Sequence, residues 1–151
     1  MVQISRLSPE DIDGAGALNA MFSTAFDEPD QYAEHTPSDE WLAARLADPN
    51  MISLVARDGA AVVGGLTAYV LHKLEQERSE IYIYDLAVAE SYRRRGVATA
   101  LIGELQALAP ALGAWVIYVQ ADHGDNPAIA LYTKLGSRED VLHFDIAPNR
   151  R

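Results

Sequence analysis

The 151-residue chain contains no cysteine. That excludes disulfides, a thiolate nucleophile and any cysteine-ligated metal, and it accords with a cytoplasmic protein without requiring one. Basic residues are scarce, with 12 Lys and Arg against 22 Asp and Glu and a formal charge of −10. A general nucleic-acid binder carries a basic face, so that class is disfavoured. No apolar run approaches the length of a membrane span, and Met1 to Asp11 are neither apolar nor basic enough for a signal peptide. His35, His72, His123 and His143 show no metal-ligand spacing, so no metal is expected. There is no Gly-x-Ser-x-Gly elbow. What remains, 49% hydrophobic and 23% charged residues, is an ordinary globular composition. It is long enough for one domain over residues 1–151 with its own core.

Taken in order, Val2 to Leu7 alternates as a strand. Ser8-Pro9-Glu10-Asp11 reads as a helix start with Ser8 as N-cap, and Ile12, Ala15, Leu18, Phe22 and Phe26 follow at helical spacing. Asp27 to His35 is an acidic loop. Ser38 caps a second helix, which Asp48-Pro49-Asn50 stops. Met51 to Ala56 and Ala61 to Leu71 form strands joined by an Asp58-Gly59 hairpin, and Gly64-Gly65 suggests a bulge or a close backbone approach. Ser79 to Val88 is a strand and Val97 to Leu108 a helix. Trp115 to Gln120 is a buried-looking strand. Asn126 reads as the N-cap of a further helix, and Val141 to Ile146 as a last strand. The order β-α-α-β-β-β-α-β-α-β predicts an α/β layered fold with a mixed, mostly antiparallel sheet flanked by helices. The strands on either side of the Val97 helix should be parallel neighbours.

The chemistry concentrates between Ser79 and Leu112. A strand runs into a basic turn, Arg93-Arg94-Arg95-Gly96-Val97-Ala98, and then into a helix N-terminus. Helix N-termini present unpaired N–H donors and the positive end of a dipole. Gly96 and Ala98 leave that backbone uncovered. This arrangement suits a phosphorylated ligand.

Arg93-x-x-Gly96-x-Ala98 after a strand resembles the acetyl-coenzyme A signature of the GNAT superfamily of N-acetyltransferases. Asn126-Pro127-Ala128-Ile129-Ala130-Leu131-Tyr132-Thr133-Lys134-Leu135-Gly136 resembles that family's second motif, with Asp125 where Asn is usual. Further stretches, including EIYIYDLAV, VIYVQAD and HFDI, look like the aminoglycoside 3-N-acetyltransferases of the gentamicin/fortimicin type. The resemblance implies acetyl-coenzyme A as cosubstrate, a cationic aminoglycoside as acceptor, direct transfer in a ternary complex, antibiotic resistance and a homodimer. Another amine, such as a polyamine, a small metabolite or a protein N-terminus, is the alternative acceptor, because one fold hosts many acceptors.

The resemblance carries roles onto single residues. Leu86, Ala87 and Val88 would align the coenzyme arm as an added strand, and Arg93, Arg94, Arg95, Gly96, Val97, Ala98 and Thr99 would hold its pyrophosphate. Asn126 would take over the coenzyme contact that Asp125 puts in doubt. Tyr132 would be the general acid, although its spacing also suits a core aromatic. Asp85 interrupts an apolar strand, where a carboxylate is costly unless used or paired. It is the first choice for acceptor binding or general base. Simple alternation would put it on the far face unless a bulge intervenes. Glu28, Asp30, Tyr32, Glu80, Tyr82, Asp122 and Asp125 complete the expected acceptor site as carboxylates and sugar-stacking rings.

Overall fold

The computed structural model describes residues 1–29 and 35–150, in two units, residues 1–120 and residues 121–151. The first unit carries a five-stranded sheet in the order β1-β2-β3-β4-β5, formed by Val2–Arg6, Met51–Asp58, Ala61–His72, Ser79–Val88 and Ala114–Val119. The first three pairings are antiparallel. Strand β4 pairs β5 in parallel, as the strand–helix–strand order requires. Helices α1 (Ile12–Phe26), α2 (Asp39–Ala47) and α3 (Val97–Leu108) accompany the sheet.

Helix α1 begins later than its sequence suggests. Its N-cap is Asp11, whose carboxylate accepts the Gly14 N–H at 3.0 Å and the Arg57 guanidinium at 2.8 Å. Ser8 instead closes a turn, its carbonyl accepting the Asp11 N–H. Two partners make Asp11 the stronger stop for the fraying end. Ser38 caps α2 as expected, accepting the Trp41 N–H at 3.1 Å.

Gly64 and Gly65 mark the centre of the packing. The pairing skips Val63, which leaves a bulge opposite Ala56 and Arg57. A Cβ on Gly64 would lie 3.1 Å from Val97 Cγ1 of α3. A Cβ on Gly65 would collide with the Leu18 side chain of α1 and sit 2.8 Å from the Leu54 carbonyl. Neighbouring strand residues point to opposite faces, so α1 and α3 cover opposite sides of the sheet. On the α1 side Leu7, Ala15, Leu18, Met21, Phe22 and Val55 form a buried cluster. Leu101 and Leu105 of α3 are fully buried as well. At one end of β2, β3 and β4, the His72 ring nitrogens lie 2.6 Å from Ser79 Oγ and 2.8 Å from Asn50 Oδ1. They tie those three strands together.

Two expectations are corrected. Trp115 is 55% exposed, so the start of β5 is not buried. Val141 to Ile146 is not a strand: its backbone is irregular, and Leu142 and Ile146 are 83% and 90% exposed. Alternating apolar residues need a paired neighbour to become a strand, and the described residues of the second unit, 121–150, contain no other strand to supply one. Among its described residues the second unit holds one helix, α4 (Asn126–Leu135).

Candidate active site

Strand β4 builds the site through one interruption on each side. Towards β5, pairing runs only from Ser79 to Ile83. Beyond Ile83 the edge of β4, from Tyr84 to Val88, has no strand partner among the described residues. A free edge offers a row of N–H and C=O groups to an extended, amide-bearing molecule. Towards β3, Thr67 pairs with Asp85 and Ala68 with Ile83, so Tyr84 is the extra residue of a bulge. The bulge shifts the alternation. Asp85 now faces the same way as Thr67, whose hydroxyl donates to Asp85 Oδ2 at 3.1 Å.

On this side of the sheet four tyrosine rings form a continuous row. Tyr69 meets Tyr84 edge-on with centroids 6.0 Å apart, Tyr84 meets Tyr82 at 5.9 Å, and Tyr82 stacks on Tyr118 at 4.8 Å. The Tyr82 hydroxyl donates to Gln120 Oε1 at 3.0 Å. Burial raises the phenol pKa of Tyr69 and Tyr82 above the ordinary 10.0, and the Asp85 charge pushes both the same way. Beside the row lies a cavity of about 210 Å³, lined among others by Leu18, Trp41, Arg45, Thr67, Tyr69 and Asp85.

After β4 the chain turns through a short 3-10 segment, Glu90–Tyr92, into the arginine-rich loop. Arg94 has φ 63° and Gly96 φ 78°. The amides from Arg94 to Thr99 find no backbone acceptor among the described residues, and the first one satisfied is Ala100, on the Gly96 carbonyl at 3.0 Å. Helix α3 has neither a side-chain cap nor an acid in its first turn. A Cβ at Gly96 would meet nothing within 4 Å. Uncapped donors, open space above them and a helix dipole fit a pyrophosphate.

The arginines divide their work. Arg93 Nε donates to the Val88 carbonyl at 3.0 Å, which fastens the turn to the end of β4. Arg95 lies over the Tyr92 ring at 5.2 Å, and the Tyr92 hydroxyl donates to Asp58 Oδ2 at 2.5 Å. That hydrogen bond is the chief reason the Tyr92 phenol is raised above its ordinary value. The β2–β3 hairpin therefore braces the arginine loop.

In the second unit, α4 starts from Asp125, not Asn126. The Asp125 carboxylate accepts the Ala128 N–H at 3.5 Å, and Pro127 occupies the first turn. Asn126 is the first helical residue, and its N–H reaches the Gly124 carbonyl at 2.9 Å. The Tyr132 phenol is raised above 10.0 by burial first and by Asp125 second, so it keeps its proton at neutral pH.

The strand, turn and helix from β4 to α3 lie within the stretch that a family-wide comparison matches. The model of the acetyltransferase (GNAT) family matches residues 17–137. The chain belongs to that family. An aminoglycoside acetyltransferase from an uncultured soil metagenomic sample is 49% identical over 99% of both chains, with a TM-score of 0.96. A second one, solved in complex with sisomicin, is 30% identical over 98% of this chain and 97% of that chain, with a TM-score of 0.90. An N-alpha-acetyltransferase of Sulfurisphaera tokodaii is 31% identical over 91 residues, which are 53% of this chain and 54% of the relative. The chain thus spans about half the length of the curated relatives it matches.

The structure brings together Asp85, Tyr82, the Leu86–Val88 edge and the turn from Arg93 to Thr99. It does not bring Glu80 to Asp85. Glu80 accepts from Trp115 Nε1 at 3.2 Å and lies 3.9 Å from Lys73, five residues away along β4. At ~3.3 Å per residue that separates the two carboxylates by roughly 16 Å. Glu28 is exposed, and Asp30 and Tyr32 lie outside the described residues. Asp122, Asp125, Asn126 and Tyr132 belong to the second unit. Sequence reading missed Thr67, Tyr69, Tyr118, Arg45 and Trp41. The Tyr69–Tyr82 pairing was legible only once the β3–β4 register was known.

Proposed function

We propose that the protein catalyses acetyl-coenzyme A-dependent N-acetylation of the 3-amino group of gentamicin-like aminoglycosides, and so confers resistance as a cytoplasmic homodimer. The observation that carries this reading is the bulge in β4. It sets Asp85 and a row of tyrosine rings beside a strand edge that continues into the uncapped amides of residues 94–99.

In this reading the coenzyme supplies an activated acetyl group as a thioester. The residues 94–99 amides, with Arg94 and Arg95, hold its pyrophosphate, and the Tyr84–Val88 edge pairs with its peptide-like arm. Asp85 holds the acceptor ammonium and takes its proton, directly or through water, because only a neutral amine attacks. As the N–C bond forms and the C–S bond breaks, a backbone N–H of that edge steadies the developing oxyanion. Tyr132, which carries its proton at neutral pH, returns a proton to the departing sulfur. The tyrosine row gives sugar rings an apolar floor. Two soil aminoglycoside acetyltransferases that cover almost the whole chain support the choice of acceptor. The test is a thiol-release assay with acetyl-coenzyme A and gentamicin, sisomicin or fortimicin. Turnover is expected, and coenzyme binding without turnover on all three would refute the reading.

The archaeal N-alpha-acetyltransferase relatives favour a second reading, a peptide N-terminus as acceptor. Turnover on a short peptide with a free amine, in the absence of aminoglycoside turnover, would select it.

A further inference from the structure

Arg45 is out of character for a site meant to take a polycation. It lines the same cavity as Asp85 and Tyr69. Its guanidinium lies over the Trp41 ring at 4.6 Å. Its Nε is shielded from water with no hydrogen-bond partner, and no carboxylate pairs with it among the described residues. A fixed cation inside an acceptor pocket repels a further ammonium and attracts oxygen lone pairs. The cavity measures about 210 Å³. Sites that enclose a drug-sized ligand hold roughly 300–1,000 Å³, so this one admits a single ring.

We propose that the Arg45–Asp85 cavity is a subsite for one hydroxylated aminocyclitol or amino-sugar ring, with Asp85 taking the ammonium and Arg45 donating to a ring hydroxyl or ether oxygen. This rests on the aminoglycoside reading and adds its selection rule. Amines without neighbouring oxygens, polyamines among them, are disfavoured because Arg45 offers them only repulsion. Trp41 holds the guanidinium plane in place, so the rule depends on the stacked pair rather than on charge alone.

The test compares two probes by calorimetry on the full chain. They are 2-deoxystreptamine and cis-1,3-diaminocyclohexane, which carry the same ring and amines and differ by the hydroxyls. Wild type should prefer 2-deoxystreptamine by about tenfold, the scale of one hydrogen bond to a charged donor. Arg45→Met keeps the apolar contact on Trp41 and should bring the ratio to about one by weakening 2-deoxystreptamine alone, while Arg45→Lys should retain part of it. Equal binding of the two probes by wild type overturns the proposal, as does an unchanged ratio in Arg45→Met. Thiol release with gentamicin, sisomicin and fortimicin is read alongside. A probe preference that depends on Arg45 without turnover on any of the three leaves the subsite standing and refutes the aminoglycoside reaction. Turnover without the preference does the reverse.

Discussion

Replacing Gly96 by alanine separates backbone conformation from packing at the turn expected to hold the coenzyme. Gly96 has φ 78°, and a Cβ there would meet nothing within 4 Å. No clash contributes, so the cost is conformational. An L-residue in the left-handed region costs about 1–2 kcal/mol, and the loss of unfolded-state freedom returns about 0.4–1 kcal/mol. The net is a destabilisation of about 1 kcal/mol, or a fall in Tm of roughly 2–4 °C for a chain of this size. Gly103, about two turns further along the same helix, is the control. It is exposed, has a helical φ and likewise has open space around its Cβ. There the same substitution should stabilise by about 0.5–1 kcal/mol. Thermal melts of Gly96→Ala and Gly103→Ala should therefore move in opposite directions. The KM for acetyl-coenzyme A should rise in the first and stay at the wild-type value in the second, because only position 96 borders the free amides. A Gly96→Ala protein that melts at or above wild type would refute the conformational argument. One that melts lower with an unchanged KM would place the pyrophosphate elsewhere.

Three further outcomes can be checked. Asp85→Asn should lower kcat/KM for the acceptor by about 10²-fold if it works as general base, whereas Glu80→Gln, held by Trp115 and Lys73, should stay near wild type; equal losses would remove the distinction between the two carboxylates. Tyr132→Phe should lower kcat by about 10²–10⁴-fold with little change in coenzyme binding, and a wild-type kcat would exclude Tyr132 as the acid. The pH dependence has a fixed sign at both extremes, and urea melts across pH would measure it. Tyr69, Tyr82 and Tyr132 have raised pKa values, so the unfolded chain loses those protons first; stability is intact below pH 10 and declines above it. Asp11 is lowered, mainly by its hydrogen bond from Arg57, so its contribution is present above pH 3.8 and fades as pH falls further, and Asp11→Asn should flatten that acid limb.

The site was legible in the sequence to the extent that it is local. Arg93 to Thr99 must form an uncapped helix start because strand, glycine and apolar period follow one another within a few residues. The bounds of α3 at Val97 and Leu108 follow from the same run. The parallel β4–β5 pairing follows from chain order and handedness alone. Caps were less legible where two candidates compete. Ser8 and Asp11 both have the right side chain for α1, and Arg57, 46 residues away, decides for Asp11. The final apolar run, Val141 to Ile146, shows the opposite failure: its pattern is that of a strand, but a pattern cannot supply the partner whose hydrogen bonds make one.

By itself, then, the sequence determined the family, the order of the elements from β1 to α4 and the uncapped basic turn, because each depends on neighbours along the chain. Only the tertiary structure decided where Asp85 points. Its orientation depends on one extra residue in the β3–β4 register, and strand alternation reverses every side chain past such a slip. The same register set Tyr69 beside Tyr82, and the packing of α2 brought Arg45 to the cavity beside Asp85. These are contacts between distant segments, fixed by packing and pairing that no local pattern encodes.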